Sequence, residues 1–90
     1  MPSKFKMTPK GEAEFDWMES YFEDCERSGD GISSKETIKH RLLLALTPTR
    51  GEHRGFTADT ICILANGFTV EGLAPWMDMF VREGLAEELS

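Results

Sequence analysis

Lys4-Phe5-Lys6-Met7 alternates polar and apolar residues, the two-residue period of a short strand with one face on a core. The period then changes. From about Pro9 to Arg27, Phe15, Trp17, Met18, Tyr21, Phe22 and Cys25 fall within one broad arc of a helical wheel. That pattern predicts an amphipathic helix with the arc buried. Thr8-Pro9 marks its start, threonine as cap and proline at the first helical position, where a missing N–H costs nothing. Ser28-Gly29-Asp30-Gly31 reads as a turn. Ser33 with Glu36 forms a capping-box pattern, so a second helix is expected from near Ser34. Its buried stripe is Ile38, Leu42, Ala45 and Leu46, with Lys35, Lys39 and His40 outward, and Thr47-Pro48 ends it. After a polar loop, Thr57 caps a third helix that reaches about Ala65, with Ile61 and Leu64 inward. Asn66-Gly67 closes it. Thr69 opens a fourth, with Leu73, Trp76, Met77, Phe80 and Val81 on one face and Gly84 at its end. Leu85 to Leu89 is expected as a short strand pairing with Phe5 to Met7. The predicted fold is mostly α: about four helices and a short two-stranded pairing of the termini.

Ninety residues with 40% hydrophobic and 29% charged side chains describe one small folded domain, 1–90, rather than a disordered chain. The longest apolar run, Leu42 to Leu46, is too short to span a bilayer. The first residues lack the apolar stretch of a signal peptide. A cytoplasmic location without membrane contact is therefore expected. Cys25 and Cys62 form no Cys-x-x-Cys pair and no zinc-ligand spacing, and the compartment disfavours a disulfide. Both read as small apolar residues.

The net charge of −6 is unevenly spread. Residues 1–10 carry three lysines and no acid, residues 11–30 eight acids against one arginine, residues 31–60 five bases against three acids, and residues 61–90 five acids against one arginine. Glu12, Asp16, Glu19, Glu23 and Glu26 recur at spacings of four and three, so they line one side of the first helix beside its apolar arc. With Trp17 and Tyr21 at the edge of that arc, the stripe is the first candidate surface for a protein partner, one that is basic or nucleic-acid-binding, because aromatic residues anchor interfaces. The outward part of the fourth helix around Met79 is the second candidate. Self-association as a homodimer through either surface fits a short chain. The basic positions Lys35, Lys39, Arg41, Arg50 and Arg54, with His40 and His53 nearby, are the alternative, a phosphate-contacting surface; the reading preferred for them is a balance to the acidic first helix, within the fold or across a dimer.

Residues 57–89 resemble the helix-turn-helix half of a winged-helix domain. The resemblance rests on Gly67-Phe68-Thr69 between two helices, the apolar register Leu73, Met77, Phe80 and Val81, and Gly84-Leu85 at the end. It implies two steeply crossed helices and either a transcriptional regulator or a protein-interaction module. Three features depart from the pattern: a third helix offset by about one residue before Gly67, Pro75 within the fourth helix, expected to kink or restart it, and too little chain after Leu85 for a hairpin wing. The outward residues Glu71, Pro75, Asp78, Met79 and Arg82 present two acids against one base, which disfavours DNA at that helix. Residues 26–36 also resemble a calcium loop, with Asp30, Gly31 and Glu36 in familiar roles, but the stretch has eleven positions where that loop has twelve. A turn followed by a helix cap accounts for it.

No Ser or Cys nucleophile motif accompanies His40 or His53, no glycine-rich phosphate loop is present, and no cofactor or metal is called for. The expectation is a non-enzymatic regulatory or adaptor protein. An acidic, short chain suits a phage- or mobile-element-encoded inhibitor of a nucleic-acid-binding machine; a DNA-binding regulator is the alternative, and calcium binding comes last.

Overall fold

A computed structural model describes residues 3–89. Strand β1 (Lys4–Met7) leads into helix α1 (Pro9–Ser28), then α2 (Ser34–Leu46), a 3₁₀ turn (Thr47–Thr49), strand β2 (Phe56–Thr57), α3 (Ala58–Ala65), α4 (Val70–Arg82) and β3 (Ala86–Leu89). The fold is mostly α, four helices beside a small antiparallel sheet.

Local chemistry explains the helix boundaries. The Thr8 hydroxyl accepts from the Gly11 amide at 3.0 Å and Pro9 opens α1. Gly29 ends it in the left-handed conformation, φ 77°, which costs glycine no steric strain. Ser33 accepts from the Glu36 amide at 3.1 Å, Thr57 from Thr60 at 3.4 Å and Thr69 from Gly72 at 3.0 Å. The expected capping box at Ser33 forms only in half. The Glu36 carboxylate lies beside Tyr21 of α1, and its Oε2 is buried without a hydrogen-bond partner. Pro75 neither ends nor restarts α4, which runs unbroken from Val70 to Arg82 with the proline exposed on its outer side.

The sheet order is β2-β1-β3. Strand β3 pairs with β1 in the register Lys4↔Leu89 to Met7↔Ala86, the pairing of terminal segments expected from the sequence. A third strand joins on the other side, where Lys4 faces Thr57 and Phe5 faces Phe56. The central strand is thus the first in the chain. Helix α2 is the hub of the core. Leu42, Leu43 and Leu46 are all fully buried and cluster with Met18 of α1, Ile61 and Ala65 of α3, Leu73, Met77 and Phe80 of α4, and Met7, Leu85 and Ala86 from the sheet side. Leu43 lies outside the expected stripe because α2 packs against α1, α3 and β1 together, so it needs more than one apolar face. On α3 the inward pair is Ile61 and Ala65, not Ile61 and Leu64; Leu64 is half exposed. No described helix is long and apolar enough to cross a membrane.

Candidate protein-docking surface on α1

Helix α1 meets α2 along its buried arc, and charged groups flank that seam on both sides. On one flank Lys39 Nζ lies 3.3 Å from Glu14 Oε1. On the other, His40 Nε2 lies 3.2 Å from Glu19 Oε1, close enough for an ion pair when the imidazole is protonated, although the contact lacks hydrogen-bond geometry. The His40 ring is stacked on Phe15 (centroids 5.3 Å apart, planes at 12°) and tilted against Phe22 at 4.7 Å. The expectation that Lys39 and His40 face outward is therefore corrected. Both are half-buried against α1, because α2 lies across the aromatic arc and its polar edge meets the acids beside it. Farther along, Arg50 Nη1 reaches Glu12 Oε1 at 3.4 Å, and Glu23 pairs with Arg27 one turn on at 3.1 Å. These exposed pairs stabilise little, on the order of 0–1 kcal/mol each. Their consequence is for recognition: Glu12 and Glu23 already have cationic neighbours and Glu19 faces the His40 imidazole, whereas Asp16 and Glu26 make no ion pair among the described residues.

Trp17 is not in the buried face. It is 59% exposed, and its ring stacks on Tyr21 with centroids 5.1 Å apart and planes at 10°. At 3.6 residues per turn Trp17 sits roughly 140° around α1 from the mean direction of the acidic stripe. The patch drawn from the sequence as one surface is therefore divided. Asp16, Glu19 and Glu26 lie on one side of the solvent-facing arc; Trp17 and Tyr21 lie on the other, with Ser20 and Asp24 between them. Tyr21 is half-buried, and its phenol is held above its usual value of 10.0, first by hydrogen bonding to Cys25 and the charge there, then by the charge of Glu36.

The second candidate surface changes as well. Met79 is half-buried and packs against the core, because α4 tucks its last turns under Leu85 and Ala86 of the sheet side. The outer residues of α4 are Glu71, Ala74, Pro75, Asp78 and Arg82. The five alternative basic residues do not form one free surface. Lys39 and Arg50 are committed to α1 acids, Arg41 Nη1 reaches the Asn66 carbonyl at 3.4 Å, and Lys35 and Arg54 are exposed. In the calcium-loop resemblance, Glu26 to Ser28 belong to α1, and no group of three or more His, Cys, Asp or Glu residues converges among the described residues.

Two features were not visible from the sequence. Thr49 is a fully buried polar residue that joins β1 to the end of α2. Apolar side chains of α2 and α3 also stand in solvent: Leu44, Leu64 and above all Ile63, 78% exposed. Comparison with family models, curated proteins and solved structures gives no match, so the functional reading is carried by the side chains described above.

Proposed function

We propose that this chain is a non-enzymatic regulatory or adaptor protein that captures a basic protein partner through the outer face of α1. The observation that carries this reading is Trp17, a large apolar ring in solvent, stiffened by its stack on Tyr21, with the acid Asp24 about two turns along the same side of α1 and the acidic stripe beginning at Asp16 across the exposed arc. A tryptophan held in one orientation loses little entropy on docking and gains from being covered, and such residues supply much of the energy of protein interfaces. The acids around it favour a partner carrying lysine or arginine and speed its approach. An inhibitor of a nucleic-acid-binding protein is one form of this function, because such a protein offers a basic surface. The order α3, tight turn, α4, β3 is in keeping with the helix-turn-helix resemblance, with β1 beside β3 where a following wing strand would be expected. The acids on the outer face of α4 and the dispersal of the basic residues favour protein over DNA as the partner of such a scaffold.

The test uses Trp17 as its own reporter in a Trp76→Phe background. Titration with a lysine-rich amphipathic helical peptide is expected to shift Trp17 emission to the blue and to saturate. Trp17→Ala, followed by anisotropy of the labelled peptide, should weaken binding by at least roughly tenfold, the scale of an interface anchor. Asp16→Lys with Asp24→Lys should abolish it while the fold persists. A labelled generic DNA duplex serves as the competing ligand. Binding of the duplex near roughly 10⁻⁵ M with a steep salt dependence, and none of the peptide, would replace this reading with a DNA-binding one centred on Lys35, Arg41 and Arg54.

A further inference from the structure

Away from α1, a notch of about 130 Å³ opens where the sheet meets α4. Phe5 of β1, Ala58 of α3, and Val70, Leu73, Ala74 and Met77 of α4 form its apolar walls, and Asp78 and Glu88 are its charged groups. The α4 residues fall at helical spacings of three and four, so they present one continuous stripe to the space. Glu88 is there because of the strand register. It stands opposite Phe5, two places from the Met7↔Ala86 pair, and so lies on the face of the sheet that carries the buried Met7 and Ala86. Glu88 and Asp78 are both exposed, so they stand at the rim of the notch rather than inside it. Here neither Glu88 nor Asp78 makes an ion pair among the described residues, and Arg82, one turn beyond Asp78, does not neutralise it.

We propose that this notch receives one arginine side chain from a partner polypeptide. The volume is well below the roughly 300 Å³ at which small-molecule sites begin, but it accommodates a single long side chain. Aliphatic stems are buried along apolar walls while their charged heads remain at the rim, and both polar groups of this notch are carboxylates. Guanidinium is less strongly hydrated than ammonium and can engage two carboxylate oxygens at once, so arginine suits a half-apolar mouth better than lysine. The inference does not rest on the α1 surface: the notch is built from β1, β3, α3 and α4, and Trp17 is not part of it.

The experiment is a chemical-shift titration of the isotopically labelled protein with a short capped peptide containing one arginine, alongside the same peptide carrying citrulline, lysine or norleucine. The arginine peptide is expected to shift the amides around Ala58, Val70, Ala74, Asp78 and Glu88, saturating in the millimolar range, with at least fivefold weaker binding of the citrulline peptide. Asp78→Asn with Glu88→Gln should weaken the arginine peptide by a similar factor, and Trp17→Ala should leave it unchanged. Equal binding of norleucine and arginine would overturn the proposal in favour of a purely apolar pocket. Shifts confined to α1 would overturn it in favour of non-specific attraction to the acidic helix, and so would an absence of shifts at the notch. Failure of the Trp17 experiment together with saturable, arginine-selective shifts here would remove the α1 reading and leave this one standing.

Discussion

Thr49 Oγ1 accepts the Met7 amide at 2.8 Å and donates to the Leu46 carbonyl at 2.6 Å, with the residue 0% exposed. One hydroxyl therefore ties the central strand to the end of the hub helix. Thr49→Val preserves the shape but leaves a buried amide without a partner, which costs about 1–3 kcal/mol. Urea denaturation should show that loss, and Thr49→Ser, which keeps both hydrogen bonds, should recover most of it. Gly11 matters for the opposite reason. A Cβ built there would fall inside the contact distance of the Leu85 carbonyl oxygen, a backbone atom that no rotamer change can move aside. Alanine normally favours a helix interior by about 1 kcal/mol over glycine. At this position the clash should outweigh that gain, and Gly11→Ala is expected to lower stability by about 2 kcal/mol or more, measured in the same denaturation series.

At the scale of elements, the seam between α1 and α2 couples packing to titration. Tyr21 is the only tyrosine, so the near-ultraviolet phenolate signal reads one group. Its pKa is raised in the folded state, first by Cys25 and then by Glu36. The folded protein thus holds the phenol proton more tightly than the unfolded chain does. The associated stability is present in full below pH 10 and is lost as pH rises through the folded-state value. The expected outcome is a tyrosine transition above pH 10 that moves downward in Cys25→Ala and, by a smaller amount, in Glu36→Gln. A transition at the ordinary position in the parent protein would mean that neither Cys25 of α1 nor Glu36 of α2 sits beside the phenol as described. The capping hydroxyls of Thr8, Ser33, Thr57 and Thr69 act within three residues of themselves, which is why all four helix starts could be read from the chain. The reciprocal half of the Ser33 cap could not, because the Glu36 carboxylate is beside a different helix.

For the whole molecule, the order β2-β1-β3 makes the first strand in the chain the middle one of the sheet. A chain beginning at Thr8 would lose both strand pairings and the buried Met7 together. It is expected to lose cooperative thermal unfolding, followed by circular dichroism, whereas trimming a peripheral strand of most sheets is milder. The same closure brings Gly84 and Leu85 against the start of α1: the Thr8 hydroxyl donates to the Gly84 carbonyl, and the Thr8 amide to that of Leu85 at 3.2 Å. Both candidate binding surfaces depend on this arrangement. The notch exists only because β1 and β3 meet α4 in one register, and Trp17 is exposed only because α2 lies across the other side of α1.

The sequence by itself determined the four helices and their ends, since periodicity, caps and turn residues act over a few positions. It also determined that the first helix is acidic, and the alternation of Lys4 to Met7 marked one strand of the terminal pairing. Tertiary structure decided which edge of each apolar arc is covered. A helical wheel resolves a face only broadly: packing leaves Trp17, at the edge of its arc, in solvent, half-buries Met79 and turns Leu64 outward. Strand β2 has two residues, too few to display alternation, and α3 is apolar on nearly every side, so its pattern cannot select a face. The pairing of Lys39, His40 and Arg50 with α1, the role of Thr49 and the acid-rimmed notch all join residues far apart in the chain. Spacing along a sequence carries no signal for such contacts; they arise only when the core closes and brings those side chains together.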